Sequence, residues 1–247
     1  MPVTVTWLGH STTLLELDGV RIVTDPVLRR RFAHLVRRAP DPELGEGPVD
    51  AVLISHAHRD HLDLPSLRLL PREAPVVVPR GVARLVTRAG FRDVTELREG
   101  HEVEVGGVAV RAVPAVHDGG RGLRRDASDT IGFVVRGSSI VYFAGDTDVF
   151  QGMEELRPVD VALLPVSGWG PRVPEGHMDP ARAARALQLV RPRYCVPVHW
   201  RTFRPFYRRE PYPADAAAGD ELIRRAEALA PEVEVRVLRP GERAEFP

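Results

Sequence analysis

The sequence predicts a mixed α/β fold in which two αβ halves stack on each other, with helices on the outer faces. Strand-forming segments and amphipathic helices occur in two successive batches, and each batch is rich in strands first and carries helices later. A length of 247 residues with 43% hydrophobic residues suits one large domain with a substantial core. We therefore expect a single domain over residues 1–247, with halves of approximately 1–117 and 118–247.

The first half opens with strands that are rich in β-branched residues and separated by the turn-forming pairs Gly9-His10 and Asp18-Gly19. These predicted strands are Val3 to Leu8, Thr12 to Leu17 and Val20 to Thr24. The stretch from Arg29 to Pro48 has no sustained period, so we expect a long surface loop or short irregular helices. The nearly continuous apolar run from Asp50 to Ile54 predicts a buried central strand.

The remaining elements follow from the same signals. Strands are predicted at Val76 to Val78, Glu102 to Val105, Val108 to Val116, Ile131 to Val135, Ile140 to Ala144, Val161 to Pro165, Tyr194 to His199 and Val233 to Leu238. Helices are predicted at Ser66 to Leu70, Val82 to Ala89, Pro180 to Val190 and Ala214 to Ala230. Asp179 is expected to cap the third helix, with Pro180 at its first position.

Composition excludes several classes of function. Basic and acidic residues number 34 each, so the overall charge favours neither nucleic acid nor an anionic membrane. All the basic residues are Arg, which removes lysine Schiff-base chemistry and the lysine-dependent phosphate loop. The single cysteine, Cys195, forbids an intrachain disulfide and favours the cytoplasm. No apolar run approaches the ~18 residues of a membrane span, and the start of the chain does not resemble a secretion signal.

The strongest functional signal is the run His56-Ala57-His58-Arg59-Asp60-His61, directly after the predicted central strand. It brings four potential metal ligands into one loop. Imidazole nitrogens and a carboxylate oxygen suit zinc, with manganese or iron as alternatives. Because residues of a turning loop point in different directions, this spacing favours two metal ions over one.

More ligands are needed for two metals, and they should lie at the ends of other strands. His117 and Asp146 each follow a predicted strand, and His199 ends another. Taken singly, a histidine at a strand end is more often a surface residue, and a Gly-Asp pair is more often a turn. Their joint occurrence favours a metal site.

These residues resemble the signature of the metallo-β-lactamase superfamily, which is a His-x-His-x-Asp-His loop with a later His, a Gly-Asp and a final His. Within it the chain is most similar to the branch that contains N-acyl-phosphatidylethanolamine phospholipase D, and the ascorbate-phosphate lactonase group is more distant. The closer match lies in Trp7-Leu8-Gly9-His10-Ser11-Thr12 with Thr24-Asp25-Pro26, in Val52-Leu53-Ile54-Ser55-His56, and in Gly176-His177-Met178-Asp179-Pro180 with His199-Trp200. The resemblance implies an αββα sandwich of two mixed sheets with helices on the outer faces.

The resemblance also implies roles for individual residues. One metal would be held by His56, His58 and His117, the other by Asp60, His61 and His199, and Asp146 would bridge them. Asp25 would anchor the metal loop from behind, with a strand-end cap as the alternative. His177 would face the substrate, with a polar capping loop as the alternative. His10 would lie on the floor of the site or serve only as a turn residue.

Two divalent cations would allow a bridging water to lose its proton near neutral pH, compared with about 15.7 in bulk water. The resulting hydroxide would attack a phosphoryl or carbonyl centre. Asp60 could relay the proton, and His177 could hydrogen-bond the oxyanion or protonate the leaving group. Cys195 lies in an apolar strand and is expected to belong to the core.

Arginines follow several of the candidate ligands. Guanidinium groups bind phosphate and carboxylate oxygens, so a positively charged mouth predicts a small anionic substrate. The residues expected to contact it are Arg121, Arg124, Arg201, Arg204 and Trp200. Ordinary solvated charge in an Arg-rich chain remains the alternative.

The leading hypothesis is a two-metal hydrolase acting on a phosphodiester, with a phospholipid head group as one candidate. The alternative is a lactonase or other ester hydrolase acting on a small phosphorylated or carboxylated metabolite. A nuclease is disfavoured by the zero net charge, and we expect no stable nucleic-acid complex. A non-enzymatic binding module would be expected to lack ligands, whereas all seven are present. The number of associating chains does not follow from the sequence.

Overall fold

We describe a computed structural model of the chain, in which residues 2–118, 128–168 and 170–247 are described. In chain order the strands are β1 (Val3–Gly9), β2 (Thr12–Leu17), β3 (Val20–Thr24), β4 (Arg31–Phe32), β5 (Leu35–Arg37), β6 (Ala51–Leu53), β7 (Val76–Pro79), β8 (Val94–Leu97), β9 (Glu102–Val105), β10 (Val108–Pro114), β11 (Ile131–Arg136), β12 (Ile140–Phe143), β13 (Val161–Pro165), β14 (Tyr194–Val198), β15 (Phe203–Pro205), β16 (Glu234–Val235) and β17 (Glu242–Phe246). The helices are α1 (Leu64–Leu67), α2 (Ala83–Arg88), α3 (Pro180–Val190) and α4 (Pro213–Leu229), with a 3-10 helix at Met153–Leu156.

Two mixed sheets form the body of the protein. The first has the strand order β17-β1-β2-β3-β6-β7-β8, and the second has the order β16-β14-β13-β12-β11-β10-β9. In each sheet an antiparallel meander joins a parallel segment. The meander of the first sheet ends at β3, which pairs in parallel with β6. The meander of the second ends at β12, which pairs in parallel with β13.

The core lies between the sheets and continues under the helices. Trp7 and Leu53 of the first sheet belong to the same buried cluster as Phe133 of the second sheet and Leu187 of α3. The opposite face of the first sheet, which includes Val52, packs against α1 and α2. Because successive residues of a strand face opposite sides, Val52 and Leu53 serve different layers. The layer order is therefore helices, sheet, sheet, helices, which confirms the predicted sandwich.

The third predicted helix is confirmed in its bounds and its cap. The Asp179 side chain accepts a hydrogen bond from the Arg182 backbone N–H at 2.8 Å, and Pro180 occupies the first turn. A proline there loses no intrahelical hydrogen bond. The buried face of α3 consists of Ala183, Ala184, Ala186, Leu187 and Val190.

Two expectations about strands were wrong. The predicted strand from Val233 to Leu238 is reduced to β16, and β17 closes the chain instead by pairing with β1. The stretch from Arg29 to Pro48 is not purely irregular, because β4 and β5 form a small sheet with β15. β15 and β17 pair with strands far along the chain, where local periodicity carries no information.

The boundary between the sheets also differs from the expected division near residue 117. The first sheet takes strands up to β8 and the returning β17, whereas β9 and β10 already belong to the second sheet. The chain therefore passes from the first sheet to the second at about residue 100. Among the helices of the described residues, none has both the length and the apolar character that crossing a bilayer requires.

The ends of several strands meet at one edge of the sandwich. His56 follows β6, Asp146 follows β12, and His199 directly follows β14. Asp146 lies 3.9 Å from His56 and 3.2 Å from His199, so the carboxyl ends of strands from both sheets present these residues to a common space. The candidate site lies at this edge.

Candidate metal centre

The loop after β6 folds back on itself. The backbone N–H groups of His61 and Leu62 both donate to the carbonyl of His58, at 3.1 and 2.7 Å. This turn directs the side chains of the loop into two neighbouring clusters. His56 and His61 are completely buried, and His58 is half-buried.

The first cluster consists of His56, His58 and His117, whose potential ligand atoms lie within 4.8 Å of one another. Nε2 of His117 lies 3.0 Å from Nδ1 of His58. The rings of His56 and His117 are nearly perpendicular, with centroids 4.7 Å apart. Three imidazoles that converge in this way match a metal position predicted from the sequence.

The second cluster consists of Asp60, His61, His199 and also His10, with ligand atoms again within 4.8 Å of one another. Oδ2 of Asp60 lies 3.7 Å from Nε2 of His61 and 3.7 Å from Nε2 of His199. The same oxygen lies 3.3 Å from Nε2 of His10. The structure thus brings Asp60 together with His199, which lies about 140 positions further along the chain.

Asp146 lies between the two clusters. Its Oδ2 atom is 3.0 Å from Nε2 of His61 and 3.9 Å from Nε2 of His56, and its Oδ1 atom is 3.2 Å from Nε2 of His199. One carboxylate therefore contacts nitrogens of both clusters. This is the arrangement expected of a bridging ligand.

The outward-facing nitrogens of the buried histidines have partners in the protein. Nδ1 of His61 lies 2.6 Å from Asp25, and Nδ1 of His56 lies 2.9 Å from the Ser55 hydroxyl. Nδ1 of His117 lies 3.0 Å from the carbonyl of Gly176, and that of His199 lies 2.7 Å from the carbonyl of Ser167. In a neutral imidazole, a proton held at Nδ1 by these acceptors leaves the lone pair at Nε2, directed at the centre of the site.

Several of the inward-facing atoms lack a hydrogen-bond partner. Among the described residues, the buried atoms without a partner include Nε2 of His56, His61 and His199 and both carboxylate oxygens of Asp146. Leaving such atoms unpaired in the interior is costly. Convergent imidazole and carboxylate lone pairs are the donor set of a divalent metal ion, so these residues fit the cation that the loop predicts.

The pKa values of the histidines differ between the two clusters. Burial is the main cause that lowers the pKa of His56 well below its usual value, and burial lowers the pKa of His117 to about 4. Both are neutral at pH 7, as metal ligands must be. Burial also disfavours the charge of His199, but the Asp146 carboxylate and Asp60 outweigh it and raise the pKa to about 9.

The carboxyl group of Asp146 is ionised. Burial would raise its pKa, but the charges of His199 and His61 and the nearby imidazole of His177 outweigh burial and hold the pKa well below the usual range. The fixed negative charge at the centre of the site attracts cations.

Asp25 lies behind the loop that carries His56 to His61. Its Oδ1 atom accepts the Ser55 backbone N–H at 2.7 Å, and its Oδ2 atom accepts the Ser55 hydroxyl at 2.6 Å. His10 has the left-handed backbone of a turn residue, with φ 54°, and also contacts Asp60 on the floor of the site. His10 is therefore a turn residue whose side chain also lies at the site. The sequence did not predict that its Nε2 joins the potential ligand atoms.

His177 faces the site. Its Nε2 atom lies 3.1 Å from Oδ2 of Asp146, and its ring contacts that of His117 with centroids 4.6 Å apart. Its side chain retains 13% exposure, so it is accessible from the solvent side. His117, Asp146 and His177 also form a group with metal-ligand spacing. The geometry therefore allows either a substrate contact or a ligand.

The residues expected to bind the substrate are only partly placed at the site. Arg121 and Arg124 lie outside the described residues. Arg201 is exposed, with its guanidinium 5.6 Å from the ring centre of Trp200. The guanidinium of Arg204 donates to backbone carbonyls of its own loop, including Pro205 at 3.2 Å.

Trp200 is a core residue, which corrects the expectation that it contacts substrate. Its side chain is 1% exposed and stacks on Trp7, with ring centroids 5.9 Å apart. The indole N–H donates to the carbonyl of Pro197 at 3.1 Å. His199 and Trp200 are adjacent, and only the former points into the site.

The chain matches the family described as the beta-lactamase superfamily domain over residues 20–200. It is 34% identical over 248 residues to the UPF0173 metal-dependent hydrolase of Methanopyrus kandleri, which covers 96% of this chain and 97% of that protein. It is also 35% identical over 227 residues to N-acyl-phosphatidylethanolamine-hydrolyzing phospholipase D 1 of Caenorhabditis elegans, which covers 80% of this chain and 64% of that protein.

Solved structures show the same fold. Igni18, a metallo hydrolase from the archaeon Ignicoccus hospitalis KIN4/I, superposes with a TM-score of 0.76 and 27% sequence identity. The match covers 100% of this chain and 99% of Igni18. The relationship therefore extends over both sheets and their helices.

Proposed function

We propose that this chain, a metal-dependent hydrolase that belongs to the beta-lactamase superfamily, cleaves an anionic phosphodiester with two divalent metal ions. Zinc is the proposed metal, with manganese or iron as alternatives. The observation that carries the two-metal proposal is the position of Asp146, whose carboxylate oxygens contact nitrogens of both histidine clusters. His56, His58 and His117 would hold one ion, and Asp60, His61 and His199 the other.

Two ions bound there would lower the pKa of a water molecule between them to about 7 and so supply hydroxide at neutral pH. The protein contributes the orientation of the ligands. Asp25 and the backbone carbonyls of Ser167 and Gly176 hold the outward nitrogens, which directs the inward nitrogens at the centre of the site.

His177 and Asp60 are the proposed proton-transfer groups. Nε2 of His177 lies beside Asp146 on the solvent side, where it can hydrogen-bond a substrate oxygen or protonate a leaving alcohol. Asp60 contacts His10, His61 and His199 and retains 15% exposure, so it can pass a proton from the site towards solvent.

Similarity to the phospholipase supports a phosphodiester as the substrate class, with a phospholipid head group as one candidate. Arg201 is exposed two residues after His199 and is available to an anion. Arg121 and Arg124 remain expected contacts from sequence alone. A lactone or other ester of a small anionic metabolite is the alternative substrate.

Purified protein loaded with Zn²⁺ should hydrolyse bis-p-nitrophenyl phosphate more efficiently than any member of a lactone panel. Asp146→Asn should abolish the activity, and the exposed control Asp220→Asn should retain it. Cleavage of lactones alone would remove the phosphodiesterase proposal and leave the metal-dependent hydrolase in place.

A further inference from the structure

The backbone around His199 is in an unfavourable conformation. His199 and Arg201 have φ angles of 62° and 56°, in the left-handed region that favours glycine. Such a conformation persists only where the surroundings hold it. The backbone N–H of His199 donates to the carbonyl of His10 at 2.9 Å, and that of Arg201 donates to Oδ2 of Asp215 at 3.0 Å.

Asp215 lies in the first turn of α4 and is 1% exposed. Its other oxygen, Oδ1, accepts the hydroxyl of Ser167 at 2.8 Å. Burial raises the pKa of this carboxyl, and the two hydrogen bonds offset part of that effect. A buried carboxylate with both oxygens engaged is a specific arrangement rather than a solvated helix residue.

The two partners of Asp215 are the segments that set the orientation of His199. The carbonyl of Ser167 lies 2.7 Å from Nδ1 of His199, and Arg201 follows His199 by two residues. Asp215 thus ties the loop after β13 to the loop after β14. Its two hydrogen bonds go to Ser167 and Arg201 rather than to the ring of His199.

The packing of α4 keeps Asp215 close to this turn. A Cβ atom on Gly219 would lie 2.4 Å from the ring of Trp200, so only glycine allows the helix to approach this closely. Gly219 lies one helical turn after Asp215 and faces the same segment. Trp200 in turn stacks on Trp7.

We propose that Asp215 is a positioning residue for the metal centre: through Ser167 and the Arg201 backbone N–H it orients His199 so that Nε2 points at Asp146. The inference rests on the proposed function, because it assumes that His199 binds a metal ion. Its consequence is confined to the position held by Asp60, His61 and His199. The position held by His56, His58 and His117 should be unaffected.

The test is a titration of metal-free protein with Zn²⁺ against a competing chelator, for the wild type, Asp215→Ala, Asp215→Asn, Ser167→Ala and the exposed control Asp220→Asn. Outer hydrogen-bond partners of metal ligands contribute about 10-fold to 100-fold to metal affinity. Asp215→Ala should therefore lower the affinity for one Zn²⁺ equivalent by about that factor and leave the affinity for the other unchanged. Asp220→Asn should match the wild type.

Asp215→Asn is the conservative rescue. Its amide oxygen can accept the Arg201 N–H, and its NH₂ group can donate to the Ser167 hydroxyl, which accepts as well as donates. The variant should bind both Zn²⁺ equivalents within about 3-fold of the wild type. With Co²⁺ in place of Zn²⁺, the visible spectrum of Asp215→Ala should change, whereas that of Asp215→Asn should not.

The outcomes separate the possibilities. Equal Zn²⁺ affinities of Asp215→Ala and the wild type would overturn the inference. It would also be overturned if Asp215→Asn bound Zn²⁺ as weakly as Asp215→Ala, or if Asp215→Ala weakened the binding of both Zn²⁺ equivalents equally. If Asp215→Ala does not fold, Ser167→Ala takes its place. Weaker binding of one Zn²⁺ equivalent by Ser167→Ala would support the inference, and an unchanged Zn²⁺ affinity would overturn it. A wild type that binds two Zn²⁺ ions but cleaves no phosphodiester would reject the proposed substrate class and leave this inference standing.

Discussion

Oδ2 of Asp25 lies 2.6 Å from Nδ1 of His61 in the interior of the protein. The same oxygen accepts the hydroxyl of Ser55, which lies 2.9 Å from Nδ1 of His56. One carboxylate therefore supports a predicted ligand in each of the two clusters. Its other oxygen accepts a backbone N–H, so the carboxylate has little freedom to move.

Asp25→Asn should weaken metal binding by about 10-fold to 100-fold. If the amide oxygen keeps the Ser55 backbone N–H, the NH₂ group faces Nδ1 of His61, which must then accept a hydrogen bond and carry its proton on Nε2. That tautomer cannot bind a metal through Nε2. Metal content after dialysis against a chelator measures the effect. The exposed Asp93→Asn serves as the control, and a metal content equal to that of the control would contradict the role of Asp25.

Asp18 gives a pH-dependent contribution to stability. Its two oxygens accept the backbone N–H and the hydroxyl of Ser138, at 2.6 and 2.5 Å, and thereby join the β2–β3 turn to the β11–β12 turn. These hydrogen bonds lower the pKa of Asp18 below its ordinary value of 3.8. The contribution is therefore complete above pH ~4 and is lost as the pH falls through the lower pKa of the folded state.

Asp18→Asn should remove this dependence, because the amide does not ionise and Asn tolerates the left-handed backbone at φ 54°. Denaturant unfolding at pH 7 should show the wild type to be more stable than the variant. The difference should shrink as the pH is lowered below ~4. A difference that stays constant down to pH 2.5 would show that the Asp18 charge does not act in this way.

Gly145 is required by the approach of Ser55. A Cβ atom there would lie 2.5 Å from Cβ of Ser55, and φ is +61°. Gly145→Ala should lower the free energy of unfolding by more than about 1 kcal/mol and reduce metal uptake, because Asp146 is the next residue. Gly107→Ala is the matched control, since Gly107 has φ +94° and open space around it. Equal losses of stability and full metal uptake in both variants would exclude a role for the contact with Ser55.

His177→Gln tests whether this residue transfers a proton or binds metal. Removal of a proton-transfer group should reduce kcat by about 10²-fold to 10⁴-fold at unchanged metal content. His101→Gln, at an exposed position, should leave both quantities unchanged. A loss of one metal equivalent in His177→Gln would identify it as a ligand instead.

Local patterns predicted most of the elements, because hydrophobic periodicity and capping residues act over a few residues. Asp179 and Pro180 predicted the start of α3, and the apolar run before His56 predicted a buried strand. The pairing of β17 with β1 could not be predicted in this way, because it joins the two ends of the chain. The same limit applies to the small sheet formed by β4, β5 and β15.

The site shows a similar division. The seven predicted ligands come together because each follows a strand, and the ends of those strands meet at one edge. Ser167 and Asp215 were missed, because a hydroxyl and a carboxylate 48 residues apart form no motif. Trp200 was misplaced because it neighbours His199, although adjacent side chains at a strand end point in different directions.

The most direct test is a crystal structure of Zn²⁺-loaded protein with anomalous data collected on both sides of the zinc absorption edge. Two anomalous peaks should lie beside Asp146. One should be within about 2.3 Å of nitrogens of His56, His58 and His117, and the other within the same distance of Asp60, His61 and His199. A single peak, or peaks away from His117 or His199, would contradict a two-metal centre bridged by Asp146.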